Sequence, residues 1–245
     1  GVYMMHGSPM KDHNWYRGGY QKISVPRILG VSSNIGVSRI IDEKYANNPT
    51  KFVEGLYRVG IGEPLDLDIP GYQPPIIRYP NKQNWWKTTL AWMSIGYETQ
   101  IAPINTLAFY NAIANNGKMV KPRFVKAIMR DGAVVEEFEP IVLKESICSS
   151  EALKKMQDML EGVVSKGLGK QAGSPQFHVS GKTGTAQVAQ GAGGYKGGTM
   201  QYLVSFCGYF PSEDPKYSCI VAIRKPGYPA SGGGMAGPVF SRIAE

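Results

Sequence analysis

Helical spacing governs the first two thirds of the chain, and short apolar blocks govern the rest. The clearest helix follows Ser149 or Ser150 as its cap. Leu153, Met156, Leu160, Val163 and Val164 fall on one face, and Gly167 closes the segment. Upstream, Ser24 with Pro26 in the first turn opens a short helix to about Val31. IGVSRIIDEKYA forms the next, and NNPTKFVEGLYRVG the one after, with Thr50 as N-cap and Phe52, Leu56 and Val59 together. Ala102 and Pro103 open a further helix that carries Ile104, Leu107, Ala108 and Ala114 on a stripe and ends at Gly117. Residues 118–138 read as a hairpin turning at Asp131-Gly132.

Two stretches lack either period. Residues 1–23 are polar and glycine-rich and read as a loop. Residues 61–84, with Pro64, Pro70, Pro74, Pro75 and Pro80, read as a long irregular excursion. After residue 177 the period changes. His178–Gln190, Tyr202–Phe210 and Tyr217–Lys225 read as three strands in sequence, and a last helix begins at Pro238. Helices first, then an antiparallel meander, then a helix packing back make an α+β fold with helices against the sheet.

Composition adds little and excludes some classes. The hydrophobic share of 42% supplies a substantial core. No apolar run approaches the roughly 20 residues that cross a bilayer, and the N-terminus has no signal-peptide pattern. A net charge of +8 suits an anionic partner, but the basic residues are scattered, which argues against nucleic acid. Cys148, Cys207 and Cys219 form no Cys-x-x-Cys pair, and His6, His13 and His178 are dispersed. No metal or cofactor is expected.

The chemistry sits in GKTGTAQ, residues 181–187. A phosphate loop requires a glycine five residues before Gly181, where Gln176 stands, and a helix afterwards, where the sequence reads as strand. Lys182-Thr183-Gly184 on a strand is the other reading. Taken alone it is an ordinary strand edge with a solvated lysine. Ser32-Ser33-Asn34 lies far upstream between two helices and taken alone is a helix cap. Together, S-x-N and K-T-G are two parts of the three-part signature of serine enzymes that acylate on β-lactams; the third is S-x-x-K.

The surroundings carry a resemblance. SSNIGVSRI, MSIGYETQIAPINTLAFYNAIANNGKMVKPRFV, GKTGTAQ, LVSFCGYFPSEDPKYSCIVAI and GGGMAGPVF together resemble the transpeptidase domain of class B penicillin-binding proteins of the division (septal) type, over nearly the whole chain. Asn105 stands where the resemblance leads one to expect a glutamine. The implied fold is β-lactamase/transpeptidase-like, with the N-terminal part of the fold missing. The implied unit is a single partial domain over residues 1–245. Residues 1–176 form a mainly helical part with S-x-N, and 177–245 hold the sheet strands with K-T-G.

The implied reaction is serine acyl transfer that cross-links peptidoglycan stem peptides and is blocked by β-lactams. In it Ser32 relays a proton, Asn34 binds the substrate amide, and Lys182 brings positive charge to the substrate carboxylate. Thr183 and Thr185 bind that carboxylate through their hydroxyls. Gly184 admits the ligand, and the Thr185 N–H forms half of an oxyanion hole. Residues 191–199 form a lip, with Tyr195 as a substrate contact. Of the nearby tryptophans, Trp85, Trp86 and Trp92 are assigned to packing.

The nucleophile is the gap. Ser8-Pro9-Met10-Lys11 matches S-x-x-K literally, but no apolar stripe follows it and it stands too close to Ser32. The resemblance places the nucleophile and general base upstream of these residues, so the chain is expected to be an inactive piece of a larger envelope protein. That parent would be anchored by an N-terminal transmembrane helix and would act on the periplasmic side of the inner membrane, with a septal glycosyltransferase and divisome proteins as partners. A β-lactam sensor or a catalytically dead peptide-binding module is the alternative. A basic nucleic-acid-binding protein is the third and has no motif behind it.

Overall fold

A computed structural model of the chain describes residues 1–81, 83–189, 200–224 and 229–245. The N-terminal stretch is not a loop. Strands β1 (Val2–Met5) and β2 (Ser8–Lys11) pair antiparallel, with Met5 opposite Ser8. His6 and Gly7 make the turn with φ of 48° and 86°. Two consecutive left-handed residues match the right-handed twist of a tight hairpin. The polar sequence hid this pairing because only Met5 and Met10 face a core.

The helices follow as their spacing predicts: α1 (Val25–Gly30), α2 (Asn34–Tyr45) and α3 (Pro49–Arg58). The cap of α3 is Asn48 and not Thr50, because Pro49 already occupies the first helical turn. The proline-rich excursion is irregular except for β3 (Ile76–Ile77). A short α4 (Thr89–Met93) and β4 (Thr99–Gln100, paired with β3) lead into α5 (Pro103–Ala114).

Beyond α5 come β5 (Met119–Val120), β6 (Ala127–Arg130) and β7 (Ala133–Glu137), with the expected turn at Asp131-Gly132. β8 (Val142–Lys144) pairs with β5, a contact the sequence reading omits because both strands are very short. Then come α6 (Ser150–Ser165), β9 (Ser180–Val188), β10 (Gln201–Phe210), β11 (Tyr217–Arg224) and α7 (Gly237–Ala244). A wide π-type turn, Gly232–Ala236, precedes α7.

β9, β10 and β11 form one antiparallel sheet in the order β11-β10-β9. The central strand is buried on both faces. Phe206 and Phe210 meet Phe240 of α7, with ring centroids 4.7 and 5.6 Å apart. On the other face Tyr209 joins Ala112 and Ile113 of α5 and Leu160 of α6 in one core cluster. Helices therefore cover both faces, and β9 is left at an edge of the sheet among the described residues. Asn105 is fully buried and donates from Nδ2 to the Glu63 carbonyl at 3.2 Å, so it ties α5 to the excursion. Trp85 and Trp92 pack in satellite clusters, whereas Trp86 is exposed.

Candidate active site

One wall of the site is the corner between α1 and α2. The α1 helix ends with Ser32 N–H donating to Leu29 O at 3.2 Å and Ser33 N–H donating to Ile28 O at 3.0 Å. Ser32 itself has φ of 53°. A left-handed serine is uncommon and persists only where its surroundings fix it. The residues that follow Ser32 are held by Asp12, which is 3% exposed. Its Oδ2 accepts from Ser33 Oγ at 2.9 Å, and its Oδ1 accepts from Ile35 N–H at 3.0 Å. Ser33 also caps α2 by accepting from Gly36 N–H at 3.0 Å. Asn34 donates from Nδ2 to Lys11 O at 3.0 Å. The β1–β2 hairpin thus braces the corner from behind.

Sequence reasoning missed Asp12. It stands in a stretch read as a polar loop, and nothing in the chain order pairs it with residues 33–35.

The other wall is β9. Lys182 Nζ lies 2.9 Å from Ser32 Oγ and donates to it, across 150 residues of sequence. The same ammonium donates to Thr183 O at 3.0 Å and to Thr183 Oγ1 at 3.3 Å. Burial of its charged end lowers the Lys182 pKa to about 8 from the usual 10.5. Thr185 Oγ1 accepts from Gly232 N–H at 3.0 Å, which leaves its own proton free to donate into the cleft. A Cβ on Gly184 would stand 2.5 Å from Ser205 Oγ on the paired strand, so a side chain there requires that hydroxyl to turn away.

Between the walls is a cleft of about 410 Å³, lined by Ser32, Asn34, Lys182, Thr183, Gly184 and Thr185 among others. Ser94 to Tyr97, after α4, complete its lining. Six of the seven residues singled out from the sequence therefore meet in one cavity. The seventh, Tyr195, and the proposed lip at 191–199 lie outside the described residues. The literal S-x-x-K match lies on β2, where residues three apart point to opposite faces, so Ser8 and Lys11 do not form the dyad that a helix turn would make. Burial pushes the Cys207 and Cys219 thiols up in pKa, so neither is a thiolate nucleophile.

A polar helix corner facing a Lys-Thr-Gly edge strand, on a sheet covered by helices, is the arrangement of serine enzymes that react with penicillin. The sequence profile of the penicillin binding protein transpeptidase domain matches residues 1–245, and the chain belongs to that family. It is 29% identical over 228 residues to the penicillin-binding protein PbpB of Mycolicibacterium smegmatis, covering 89% of this chain and 34% of that one. It is likewise 29% identical over 228 residues to the peptidoglycan D,D-transpeptidase FtsI of Buchnera aphidicola, covering 92% of this chain and 37% of that one. The crystal structure of penicillin binding protein 3 from Mycobacterium tuberculosis complexed with aztreonam superposes with a TM-score of 0.79 at 26% identity, over 100% of this chain and 55% of that chain. The chain thus spans about a third of the length of the curated relatives it matches.

Proposed function

We propose that the cleft is one half of the active site of a peptidoglycan D,D-transpeptidase, the half that binds the donor peptide and relays its proton. The contact between Lys182 Nζ and Ser32 Oγ at 2.9 Å carries the reading. A lysine with pKa lowered to about 8 sits at the balance point between donor and acceptor near neutral pH. It can hand a proton to Ser32, and Ser32 can pass it to a departing amine.

The substrate side follows from the same wall. A D-alanyl carboxylate entering the cleft meets the Lys182 ammonium and the hydroxyls of Thr183 and Thr185, which the supporting geometry leaves able to donate. The edge of β9 that no described strand covers accepts an extended peptide as an added strand. Asn34 serves the substrate amide through its remaining donor. The backbone N–H of Thr185 is assigned to the oxyanion hole, a contribution of roughly 3–4 kcal/mol per donor. β-Lactams enter as mimics of the donor. The serine that attacks and the lysine that activates it are assigned to a segment preceding these residues. The parent protein is assigned to the extracytoplasmic face of the cell membrane, with cell-division proteins as its partners.

The test uses the protein as its gene encodes it. Fluorescent penicillin should label it, and Lys182→Ala should abolish the label. A D-alanyl-D-alanine-terminated donor should release D-alanine in its presence. Labelling that survives Lys182→Ala would sink the assignment. Labelling without any D-alanine release would make the protein a penicillin sensor and not an enzyme.

A further inference from the structure

The two walls of the cleft are spaced by a piece of backbone that touches neither Ser32 nor the Lys182 ammonium. Just past the end of α6, Leu168 N–H donates to Gly30 O at 2.9 Å. Arg27 Nη1 donates to Lys166 O at 2.9 Å. The short α1, which delivers Ser32, is therefore tied at two points to residues 166–168. On the far side the Leu168 carbonyl meets the turn behind β9. A Cβ on Gly233 would stand 2.4 Å from Leu168 O and 3.5 Å from Thr183 Cγ2. Gly232, next to it, holds Thr185 Oγ1. The 167–168 peptide thus stands between the corner that carries Ser32 and the strand that carries Lys182.

The approach leaves no room at residue 167. A Cβ there would lie 2.3 Å from Gly30 O and 2.6 Å from Val163 O, both backbone atoms. Its φ is not in the left-handed region, so space and not backbone freedom excludes a side chain. Gly30, across the same seam, is different: a Cβ there would meet only Gly162 O and Gly167 Cα, each at 4.0 Å.

We propose that Gly167 is a positioning residue, a spacer whose missing side chain sets the width of the cleft and thereby the Ser32–Lys182 contact. The proposal rests on the acyl-transfer reading for its functional meaning, but the spacing itself does not. An added methyl must drive Gly30 O from 2.3 Å to roughly 3.5 Å. Of the two bodies, α1 is the lighter, with six residues and its weight on this seam, whereas β9 is anchored along its length to β10. The displacement is therefore carried to Ser32, and a hydrogen bond of 2.9 Å does not survive it.

Gly167→Ala and Gly30→Ala in the protein as encoded test this, with two readings taken on each: the rate of acylation by fluorescent penicillin, and the titration midpoint of Lys182 from side-chain NMR of isotope-labelled lysine. Gly167→Ala should slow acylation by about a hundredfold, the scale of a one-ångström misplacement. It should also raise the Lys182 midpoint from about 8 toward 10.5 as water enters the widened cleft. A purely structural role would lower stability without moving that midpoint. Gly30→Ala should leave both readings where they are. A folded Gly167→Ala protein with both readings unmoved overturns the spacer, as does Gly30→Ala causing the same losses. If Gly167→Ala does not fold, Gly30→Val decides: its branches add bulk to the same seam from the α1 side, where Gly30→Ala adds none, and a folded Gly30→Val protein with the Lys182 midpoint left at its original value overturns the proposal. If the unaltered protein is never acylated, the functional reading fails, while the Lys182 midpoint still reports on the spacer.

Discussion

At the scale of single residues, Lys182 and Asp12 divide the work of the site. Lys182 carries the charge that the proposed function sets against a ligand carboxylate, and its burial makes that charge pH-sensitive. Its folded pKa of about 8 lies below the ordinary 10.5, so between those values the unfolded chain holds a proton that the folded chain has released. The contribution of this group to stability therefore rises with pH from 8 to 10.5 and is least favourable below 8. Ligand affinity runs the other way. Binding of a carboxylate-terminated peptide should weaken as pH climbs through about 8, and Lys182→Met should flatten that profile in a calorimetric titration. Asp12 acts at one remove. Asp12→Ala strands the donors of Ser33 and Ile35 and should lower stability by about 1–3 kcal/mol in urea unfolding. It should also weaken ligand binding through the loosened Ser32. Lys182 and Ser32 were legible in the sequence because their motifs fix identity and order. Asp12 was not, because its role exists only in the register by which a hairpin meets a helix start.

At the scale of elements, local chemistry placed the longer helices and the hairpin turn at Asp131-Gly132, although it set the α3 cap at Thr50 where Asn48 stands. Ser149 caps α6 by accepting from Ala152 N–H at 3.3 Å, and the apolar stripe from Leu153 to Val164 faces the core as spaced. Ser149→Ala should lower the unfolding free energy by about 1 kcal/mol with no change in ligand affinity, since the cap lies at the end of α6 away from the cleft. Ser33 caps α2 but belongs to the braced corner, so Ser33→Ala should lower both stability and affinity. Comparing the two variants by thermal melts and titration separates capping from site support. The elements that escaped the sequence reading include the five-residue helix α4 and the strands β1, β2, β3, β4 and β8, of 4, 4, 2, 2 and 3 residues. Segments of that length carry too few positions for alternation to register, and their pairing is decided by tertiary neighbours.

At the scale of the whole molecule, the α+β class and the order of the final three strands follow from a change of period along the chain. The juxtaposition of S-x-N with K-T-G does not follow from any local rule and came from the family resemblance alone. The reading that no nucleophile lies in these residues gives a direct expectation. The 245-residue chain by itself should form no covalent adduct with labelled penicillin on a denaturing gel. An adduct lost on Ser8→Ala would overturn this. The bridge from Ser32 to Lys182 spans 150 positions, and Asp12 completes the corner from a third segment. Loops of that size close late, after local structure has formed. Under the proposed reading, a half-finished chain offers a penicillin no complete cleft to enter. Penicillin held by the protein as encoded would then count completed molecules and, by mass action, draw partly folded ones toward the completed state.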